Sequence, residues 1–341
     1  MSLLPYLHRV AEREHLSAAE AEQAMETILT GAASVAQIAA FLVALRMKGE
    51  TAPELVGFAR AMRRRASPLE LDLGGEPLLD TCGTGGDGAR TFNISTIAAL
   101  VAAGAGVRVA KHGNRSISSA CGSADVLECL GVQIAQEPAE AARAIREVGM
   151  GFLFAPAYHP AMKHAQPARL ELKMRTVFNL LGPLTNPAGA TAQLVGAPSA
   201  PAAELLAEAL AALGLQRGFV AHGADGLDEI TTTGATLLYE IRAAQVQRRS
   251  VTPEDFGVPR AAPEDLRGGD ATQNAEIVRA VLGGAPGPQR DIVLVNTSAA
   301  LAAAGRARDF CEGMRLAAQS IDSGAARQKL EQLAAFTRRS D

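Results

Sequence analysis

Two stretches rich in Gly, Asn, Ser and Thr contain the residues of this chain that are best suited to bind an anion. The first, residues 80–96, reads DTCGTGGDGARTFNIST, and the second, residues 111–125, reads KHGNRSISSACGSAD. Each follows a short apolar segment, so its backbone N–H groups and small hydroxyls can converge on a phosphate-bearing ligand. Glycines in both stretches allow a close approach that a Cβ atom would prevent. We therefore interpret the two stretches as halves of one phosphate-binding site.

The apolar pattern predicts a helix over residues 91–104, which begins inside the first stretch. Its apolar residues recur at helical spacing, at Ile94, Ile97, Leu100 and Val101. The first turn of such a helix offers unpaired N–H groups and the positive end of the helix dipole to an anion. In that turn Asn93 and Thr96 supply side-chain donors, and Ser95 supplies an oxygen for a metal ion.

A dinucleotide-binding fingerprint is the competing interpretation of the first stretch, because its glycines fit the G-x-G-x-x-G pattern at Gly83, Gly85 and Gly88. That fingerprint requires an acidic residue about twenty positions later, at the end of the second strand. Here the second predicted strand, 107–110, leads into Lys111 and His112 instead. A basic residue suits a phosphate rather than a ribose diol, so the pattern disfavours a dinucleotide.

An adjacent acidic pair, Asp228-Glu229, follows the predicted strand 218–222. Neighbouring carboxylates repel each other unless a cation lies between them or solvent screens them. Magnesium takes oxygen ligands and commonly bridges one or two carboxylates to substrate phosphates. An exposed acidic turn is the alternative for any isolated pair of this kind. The position at a strand end of an α/β chain supports a metal site, and the match to a family motif described below decides between the two interpretations.

Composition limits the classes of function. The 341 residues are 48% hydrophobic and 20% charged, which is typical of a globular chain with one large core and a smaller domain. A net charge of −3 gives no footprint for a nucleic acid or an anionic membrane. The four cysteines form no C-x-x-C pair, and no signal peptide or membrane span is indicated. These features predict a reduced, cytoplasmic protein.

The order of elements predicts an α/β fold with a small all-helical domain. Residues 1–66 contain three capping boxes that begin helices, at Ser17, Ser34 and Thr51. Residues 67–77 are rich in Pro and Gly and form a linker or hinge, and 78–341 form the larger domain. Strands are predicted near 78–81, 107–110, 132–134, 151–154, 193–196, 218–222 and 291–295. They indicate a mostly parallel sheet covered by helices.

Two further segments do not follow the alternation of strands and helices that a parallel sheet requires. Residues 236–249 are predicted to form a strand pair or an antiparallel excursion. Part of 159–187 is predicted to cross back and pack on the amino-terminal helices.

Taken together, these motifs resemble the anthranilate phosphoribosyltransferase family, which belongs to the nucleoside phosphorylase-like phosphoribosyltransferases. The resemblance continues through HPAMKH at 159–164, RTVFNLLGPLTNP at 175–187 and GLDEI at 226–230, and so covers nearly the whole chain in order. It implies transfer of a phosphoribosyl group from 5-phosphoribosyl 1-pyrophosphate to anthranilate, in tryptophan biosynthesis. It also implies Mg²⁺, two ions per subunit, a hinge at 159–187 and a homodimer through the helical domain.

The resemblance assigns roles residue by residue. The phosphoribosyl pyrophosphate contacts are Gly83, Gly85, Gly86, Asp87, Thr91, Asn93, Ile94, Ser95, Thr96, Lys111, His112, Gly113, Asn114, Arg115, Ser116, Ile117, Ser118, Ser119 and Ser123. The anthranilate contacts are Gly83, His112, Asn114 and Arg169. The metal ligands are Ser95, Asp228 and Glu229.

These assignments agree with the chemistry that the reaction needs. Arg169 offers the planar, bidentate donor that a carboxylate requires. Negative charge grows on the departing pyrophosphate, so we expect electrostatic stabilisation to be the main catalytic contribution. No dedicated general base is required, although His112 could accept the amine proton.

Two other functions stay open at this stage. A pyrimidine nucleoside phosphorylase shares the fold and the glycine-rich phosphate loops but would not need the Asp228-Glu229 metal site. A non-catalytic, nucleic-acid-binding relative would need a basic groove. Ala120, Lys173 and Ala235 depart from the family pattern, at positions where the family tends to have a basic residue, Gly and Pro respectively.

Overall fold

The computed structural model describes residues 2–116 and 120–338. Its first part is helical, as the capping boxes predict: α1 Leu4–Ala11, α2 Ala18–Leu29, α3 Val35–Lys48 and α4 Ala52–Arg65. The Ser17 hydroxyl accepts from the Glu20 N–H, and the Ser34 hydroxyl accepts from the Gln37 N–H. At the third box, the Thr51 N–H donates to the Glu54 carboxylate.

A seven-stranded sheet forms the centre of the larger part of the chain, in the order β3-β2-β1-β4-β5-β6-β7. Its strands are β1 Leu78–Gly83, β2 Arg108–Gly113, β3 Met150–Phe154, β4 Ala192–Gly196, β5 Arg217–Gly223, β6 Thr236–Arg242 and β7 Gln245–Val251. Neighbours from β3 to β5 pair in parallel, and β6 and β7 add an antiparallel hairpin. The strand pair predicted over 236–249 is thereby confirmed, as is the mostly parallel sheet covered by helices.

Most of the remaining helices cover the two faces of this sheet. They are α5 Ile94–Gly104, α6 Ser123–Cys129, α7 Pro138–Glu147, α8 Ala155–Tyr158, α9 Gln166–Leu172, α10 Phe178–Leu181, α11 Ala200–Ala212, α12 Ala271–Leu282, α13 Pro288–Ala303, α14 Phe310–Asp322 and α15 Ala325–Arg338. Helices α5, α13, α14 and α15 pack together on one face, and α11 packs between the other face and α4. None of the helices in the described ranges is long and apolar enough to cross a bilayer.

The strand predicted at 291–295 is wrong, because these residues lie in α13. Every residue from 292 to 303 is buried, so this part of the helix has no solvent-facing side and its sequence shows no amphipathic period. A short apolar run of this kind cannot be distinguished from a buried strand by periodicity alone.

The strand predicted at 132–134 is also wrong. Val132 and Ile134 are buried, but their segment joins no strand. Its backbone bonds go to helix ends instead: the Val132 N–H donates to the Leu127 carbonyl, and the Gln133 N–H donates to the Thr337 hydroxyl. The apolar side chains therefore fill the core without extending the sheet.

The segment 159–187 lies against the amino-terminal helices. Helix α9 contacts α3, α10 contacts α4, and the short 3₁₀ helix Pro160–His164 contacts α2. Lys173 ends α9 in the left-handed conformation, with φ 47° and ψ 34°. Glycine adopts this conformation without the steric cost that a Cβ atom brings, which explains why Gly suits this position.

Candidate active site

The two glycine-rich stretches meet in one cleft at the carboxyl ends of the parallel strands. Chain order reverses between β1 and β4, which is the point where open α/β sheets bind ligands. The cleft has a volume of about 330 Å³. Its lining includes every predicted site residue that the structure describes: Gly83, Gly85, Gly86, Asp87, Thr91, Asn93, Ile94, Ser95, Thr96, Lys111, His112, Gly113, Asn114, Arg115, Ser116, Ser123, Arg169, Asp228 and Glu229. Ile117, Ser118 and Ser119 lie outside the described residues.

The acidic pair faces the first stretch from the loop after β5. Asp228 Oδ2 accepts from the Gly85 N–H at 2.8 Å, and Glu229 Oε1 accepts from the Ser95 N–H at 3.1 Å. Burial, together with the neighbouring Asp87 carboxylate, raises the pKa of Asp228 well above its usual range. Burial likewise raises the pKa of Glu229 to about 8. Carboxylates crowded together in this way call for a cation.

The donor set of this cluster fits magnesium. All candidate ligands are oxygens, from Ser95, Asp228 and Glu229, and Mg²⁺ prefers oxygen. Within 2–116 and 120–338, no group of three or more His, Cys, Asp or Glu side chains is arranged to hold an ion by itself. Magnesium is commonly bound by one or two carboxylates together with substrate phosphates and water.

Lys111 places a buried positive charge beneath the cleft. Its side chain is 2% exposed, and its Nζ donates to the Thr81 carbonyl and, at 3.4 Å, to Ser95 Oγ. Burial lowers the pKa of Lys111, whereas the Asp80 and Glu229 carboxylates oppose that shift. The ammonium group therefore lies between the strand ends and the first turn of α5, where it adds to the positive end of the helix dipole.

Two buried histidines lie side by side at the inner wall. The ring centroids of His112 and His159 are 5.2 Å apart. His112 Nδ1 lies 3.2 Å from the Gly182 carbonyl, which can only accept, so Nδ1 carries the proton and Nε2 is left with its lone pair. Burial lowers the pKa of His112 to about 3 and that of His159 to about 4. Both rings are therefore neutral at physiological pH.

These shifts predict loss of stability in mild acid. The unfolded chain protonates its histidines near pH 6.5, while folded His112 and His159 stay neutral down to about pH 3 and about pH 4. Below pH 6.5 the unfolded state thus binds more protons, and the free energy of unfolding falls. We expect each ring to cost about 2 kcal/mol at pH 5 relative to pH 7.

Urea unfolding at the two pH values measures this loss. His159→Asn should reduce the difference between pH 7 and pH 5, whereas His8→Asn, an exposed position on α1, should leave it unchanged. An equal difference in wild type and His159→Asn would contradict the prediction.

Arg169 presents its guanidinium to the same cleft from α9. The group lies over the Phe178 ring, 5.2 Å from its centroid, and burial lowers its pKa. In the part of the chain that the structure describes, no carboxylate pairs with it. A desolvated guanidinium without a carboxylate partner is suited to a carboxylate from a ligand. Phe178 is a contact that the sequence analysis missed.

Arg175 is the clearest functional candidate that the sequence analysis missed. Its Nη1 donates to the Gly85 carbonyl at 2.6 Å, and its guanidinium occupies the space above Gly86. A Cβ atom at residue 86 would lie 1.3 Å from Nη1, and the residue has φ 79°. Arg175 begins the RTVFN motif, which carries the family resemblance without an assigned role. The signal that could have found it is an arginine inside a motif shared with a phosphate-binding family.

Other residues of the cleft are already paired within the protein or are poorly reactive. Arg115 pairs with Asp125 at 3.0 Å and with Glu128 at 2.6 Å, so its charge is already shared with two carboxylates. Burial raises the pKa of the Cys82 thiol well above its usual range and that of Cys121 to about 11, which makes both poor nucleophiles.

The loop that carries the acidic pair is shaped by a third carboxylate. Asp225 accepts hydrogen bonds from the hydroxyls of Thr231 and Thr233, at 2.7 and 2.6 Å. Its other carboxylate oxygen accepts from the Leu227 N–H at 3.2 Å, so the carboxylate is directed into the loop rather than toward the cleft, whose lining does not include it.

Comparisons with known proteins agree over the whole chain. Residues 4–66 match the glycosyl transferase family helical bundle domain, and residues 75–327 match the glycosyl transferase family a/b domain. The anthranilate phosphoribosyltransferase of Solibacter usitatus is 68% identical over 336 residues, which cover 98% of this chain and 99% of the relative.

Solved structures of anthranilate phosphoribosyltransferases are also similar over nearly the whole chain. The crystal structure of the anthranilate phosphoribosyltransferase from Thermus thermophilus superposes with a TM-score of 0.92 at 45% identity, and the match covers 97% of this chain and 99% of that one. The Saccharomyces cerevisiae enzyme in complex with PRPP and Mg superposes with a TM-score of 0.90 at 29% identity, covering 99% of this chain and 98% of that one.

Proposed function

Because the chain belongs to the anthranilate phosphoribosyltransferase family, we propose that its cleft carries out the reaction of that family. The enzyme transfers the phosphoribosyl group of 5-phosphoribosyl 1-pyrophosphate to the amine of anthranilate, and it releases N-(5-phosphoribosyl)anthranilate and pyrophosphate. This is the second step of tryptophan biosynthesis. The observation that carries the proposal is the convergence of both glycine-rich stretches and the Asp228-Glu229 pair on one cavity.

The donor pyrophosphate binds, in this proposal, between the two stretches. The first turn of α5 and the loop at 83–87 line this part of the cavity, where the positive end of the helix dipole favours an anion, and the Lys111 side chain lies beneath them. Ser95, Asp228 and Glu229 would hold Mg²⁺, in two ions, which supplies positive charge to the leaving pyrophosphate. Donors fixed before the reaction stabilise the charge that grows as the glycosidic bond breaks, without reorganisation at that moment.

Anthranilate binds, in this proposal, on the side of the cleft that α9 and α10 form. Arg169 pairs with its carboxylate, and the Phe178 ring that holds the guanidinium in place also offers apolar surface. Gly83, His112 and Asn114 complete the acceptor contacts. This arrangement directs the amine toward the donor sugar.

Removal of the proton from the anthranilate amine does not require a strong base in the protein. An aromatic amine becomes strongly acidic once its nitrogen bonds to the sugar carbon. His112 Nε2 is buried and has no hydrogen-bond partner within the described ranges, so its lone pair is free to receive a proton. With a pKa of about 3, His112 is a weak base that accepts only from such an acidic group. We therefore assign catalysis to electrostatics, with His112 as an optional proton acceptor.

The pyrimidine nucleoside phosphorylase and nucleic-acid-binding alternatives are not favoured, because the family relationship extends along the whole chain. Anthranilate fluorescence should fall when 5-phosphoribosyl 1-pyrophosphate and Mg²⁺ are added. Phosphate-dependent cleavage of thymidine without a magnesium requirement would instead support a phosphorylase.

Arg169→Ala tests the acceptor assignment. Loss of a bidentate, partly desolvated contact to a carboxylate should raise the anthranilate KM by about 100-fold, equivalent to about 3 kcal/mol, and leave the KM of the phosphoribosyl donor nearly unchanged. Initial rates at varied anthranilate and donor concentrations give both constants. Arg146→Ala, on the exposed side of α7, serves as the control. Equal effects on both KM values would remove Arg169 from the acceptor site.

We also propose a cytoplasmic homodimer that associates through the helical domain, with domain limits at 1–66, 67–77 and 78–341. The large apolar side chains that are exposed in the described structure all belong to α1, α3 or the region of α9: Leu4, Val35, Met47, Leu170 and Met174. Such a concentration is typical of an interface. Met47→Asp should shift the sedimentation coefficient to that of a monomer, whereas Arg327→Asp on α15 should not. A monomeric wild-type chain would exclude the dimer.

A further inference from the structure

A second cavity, of about 230 Å³, lies at the end of the sheet opposite the cleft. The cleft is at the carboxyl ends of the parallel strands, whereas this cavity lies where β5 begins and β6 ends. Four arginines line it together with two acidic residues: Arg217, Arg242, Arg249, Arg308, Glu240 and Asp309. The lining thus carries an excess of positive charge in a chain whose net charge is −3.

Two of these arginines are held directly opposite each other. Arg217 and Arg242 are register partners in the antiparallel pair β5–β6, so their side chains leave the same face of the sheet. Like charges in this position destabilise a strand pair. Neither arginine makes an ion pair or a side-chain hydrogen bond with any residue in 2–116 or 120–338. The repulsion is therefore not offset by the protein itself.

The other two arginines border this pair, and Arg249 is the one that is held by several contacts. Arg249 lies over the Phe310 ring at 4.7 Å and over the Phe219 ring at 5.5 Å, and it contacts Glu240 at 3.4 Å. Stacking on two rings holds the guanidinium without consuming all of its N–H donors. Arg308, in the loop after α13, is 86% exposed and pairs with Glu312 at 2.9 Å.

The acidic residues of the lining do not neutralise the cavity. Glu240 is shared with Arg249. Asp309 is the N-cap of α14, where its Oδ1 accepts from the Glu312 N–H at 2.8 Å. The thirteen-residue helix α14 therefore begins at the rim, and its dipole adds positive potential there.

We propose that this cavity binds a small oxyanion, inorganic phosphate or the phosphate group of a small metabolite, at a site separate from the catalytic cleft. The opposed Arg217 and Arg242 bridge the anion, and Arg249 borders it from β7. A planar guanidinium group can donate two parallel hydrogen bonds to two oxygens of a phosphate. An anion between the two arginines converts their repulsion into attraction, so binding stabilises the β5–β6 end of the sheet.

Thermal melts in sodium phosphate and in sodium chloride at equal ionic strength test the proposal. The probe is inorganic phosphate, and the comparison includes Arg217→Gln, Arg242→Gln, the double variant and the control Arg248→Gln, which lies on the opposite face of β7. Phosphate bound in the catalytic cleft contributes equally to all of these chains, because none of the substitutions touches the cleft. The phosphate-dependent rise in Tm should be smaller in the double variant than in wild type and Arg248→Gln by roughly 2 °C.

Two further measurements test whether the opposed arginines bind the anion and which anion they bind. In chloride alone at low ionic strength, Arg242→Gln should melt above wild type, because the opposed charge is gone. Phenyl phosphate in place of inorganic phosphate distinguishes the two sources of the anion. A rise in Tm that the double variant lacks, seen with both probes, supports a phosphate ester, and such a rise with inorganic phosphate alone supports the free ion. An equal phosphate-dependent rise in wild type and in the double variant would overturn the proposal, as would an Arg242→Gln chain that melts below wild type in chloride.

Discussion

Replacing Asp228 by Asn and Glu229 by Gln together should lower kcat/KM by about 1,000-fold while the protein becomes more stable. The loss of activity follows because the variant keeps the shape of both side chains but loses the charge that would hold Mg²⁺ against the pyrophosphate. The gain in stability follows because burial raises the pKa of both carboxyls, that of Glu229 to about 8. Folding thus opposes their ionised forms, and neutral amides remove that penalty.

The size of this gain in stability depends on pH. A carboxyl whose folded pKa lies above its unfolded pKa destabilises the folded state as pH rises through the two values. The variant should therefore exceed wild type in Tm at pH 8, in the presence of a chelator, and the difference should shrink toward pH 4. Steady-state rates with saturating Mg²⁺ and melts with chelator measure the two effects.

Asp225→Asn is the matched control for this double variant. Asp225 lies in the same loop and accepts bonds from Thr231 and Thr233, which the amide oxygen of Asn can still accept in part. We expect its kcat/KM to stay within about tenfold of wild type, because its charge is not part of the metal site. If the double variant kept more than about a tenth of wild-type activity, the acidic pair would not be the metal site.

Gly196→Ala should cost about 100-fold in kcat/KM although residue 196 carries no functional group. Gly196 ends β4 beside Gly83 at the end of β1. A Cβ atom at residue 196 would lie 1.6 Å from the carbonyl oxygen of Asp228, and one at residue 83 would lie 2.6 Å from Asp228 Oδ2. The backbone of Asp228 cannot move aside as the end of a flexible side chain can. The substitution should therefore displace the acidic pair from the first stretch.

Gly234→Ala is the control for this prediction, because a Cβ atom there meets nothing within 4 Å and its φ is not in the left-handed region. Rates measured at several Mg²⁺ concentrations separate the causes: a displaced metal site should raise the Mg²⁺ concentration needed for half-maximal rate. Wild-type rates and magnesium dependence in Gly196→Ala would show that the close approach of β4 to Asp228 has no catalytic consequence.

Local sequence signals predicted most of the fold correctly. The capping boxes at Ser17 and Ser34 begin helices as expected, and the parallel strands of the sheet coincide with short apolar runs beside turn residues. The errors occur at 132–134 and 291–295, where the apolar residues are buried in the core. At 291–295, burial on every face of the helix erases the periodicity that separates a strand from a helix. At 132–134, the buried Val132 and Ile134 alternate with the exposed Gln133 as in a strand, but the segment pairs with no neighbouring strand in the described structure.

For the site, the residue types along the chain indicated two donor-rich stretches and an acidic pair, whereas Arg169 was assigned through the family resemblance. What these groups meet depends on the packing of distant elements. The parallel pairing of β1 with β4 and of β4 with β5 brings Asp228 against Gly85, which is 143 positions away in the chain. Packing also places Arg175 over Gly86 and opposes Arg217 to Arg242. The chemical groups of a residue are fixed by its type, whereas its neighbours in the fold depend on contacts between residues far apart in the chain. No short sequence pattern encodes those contacts.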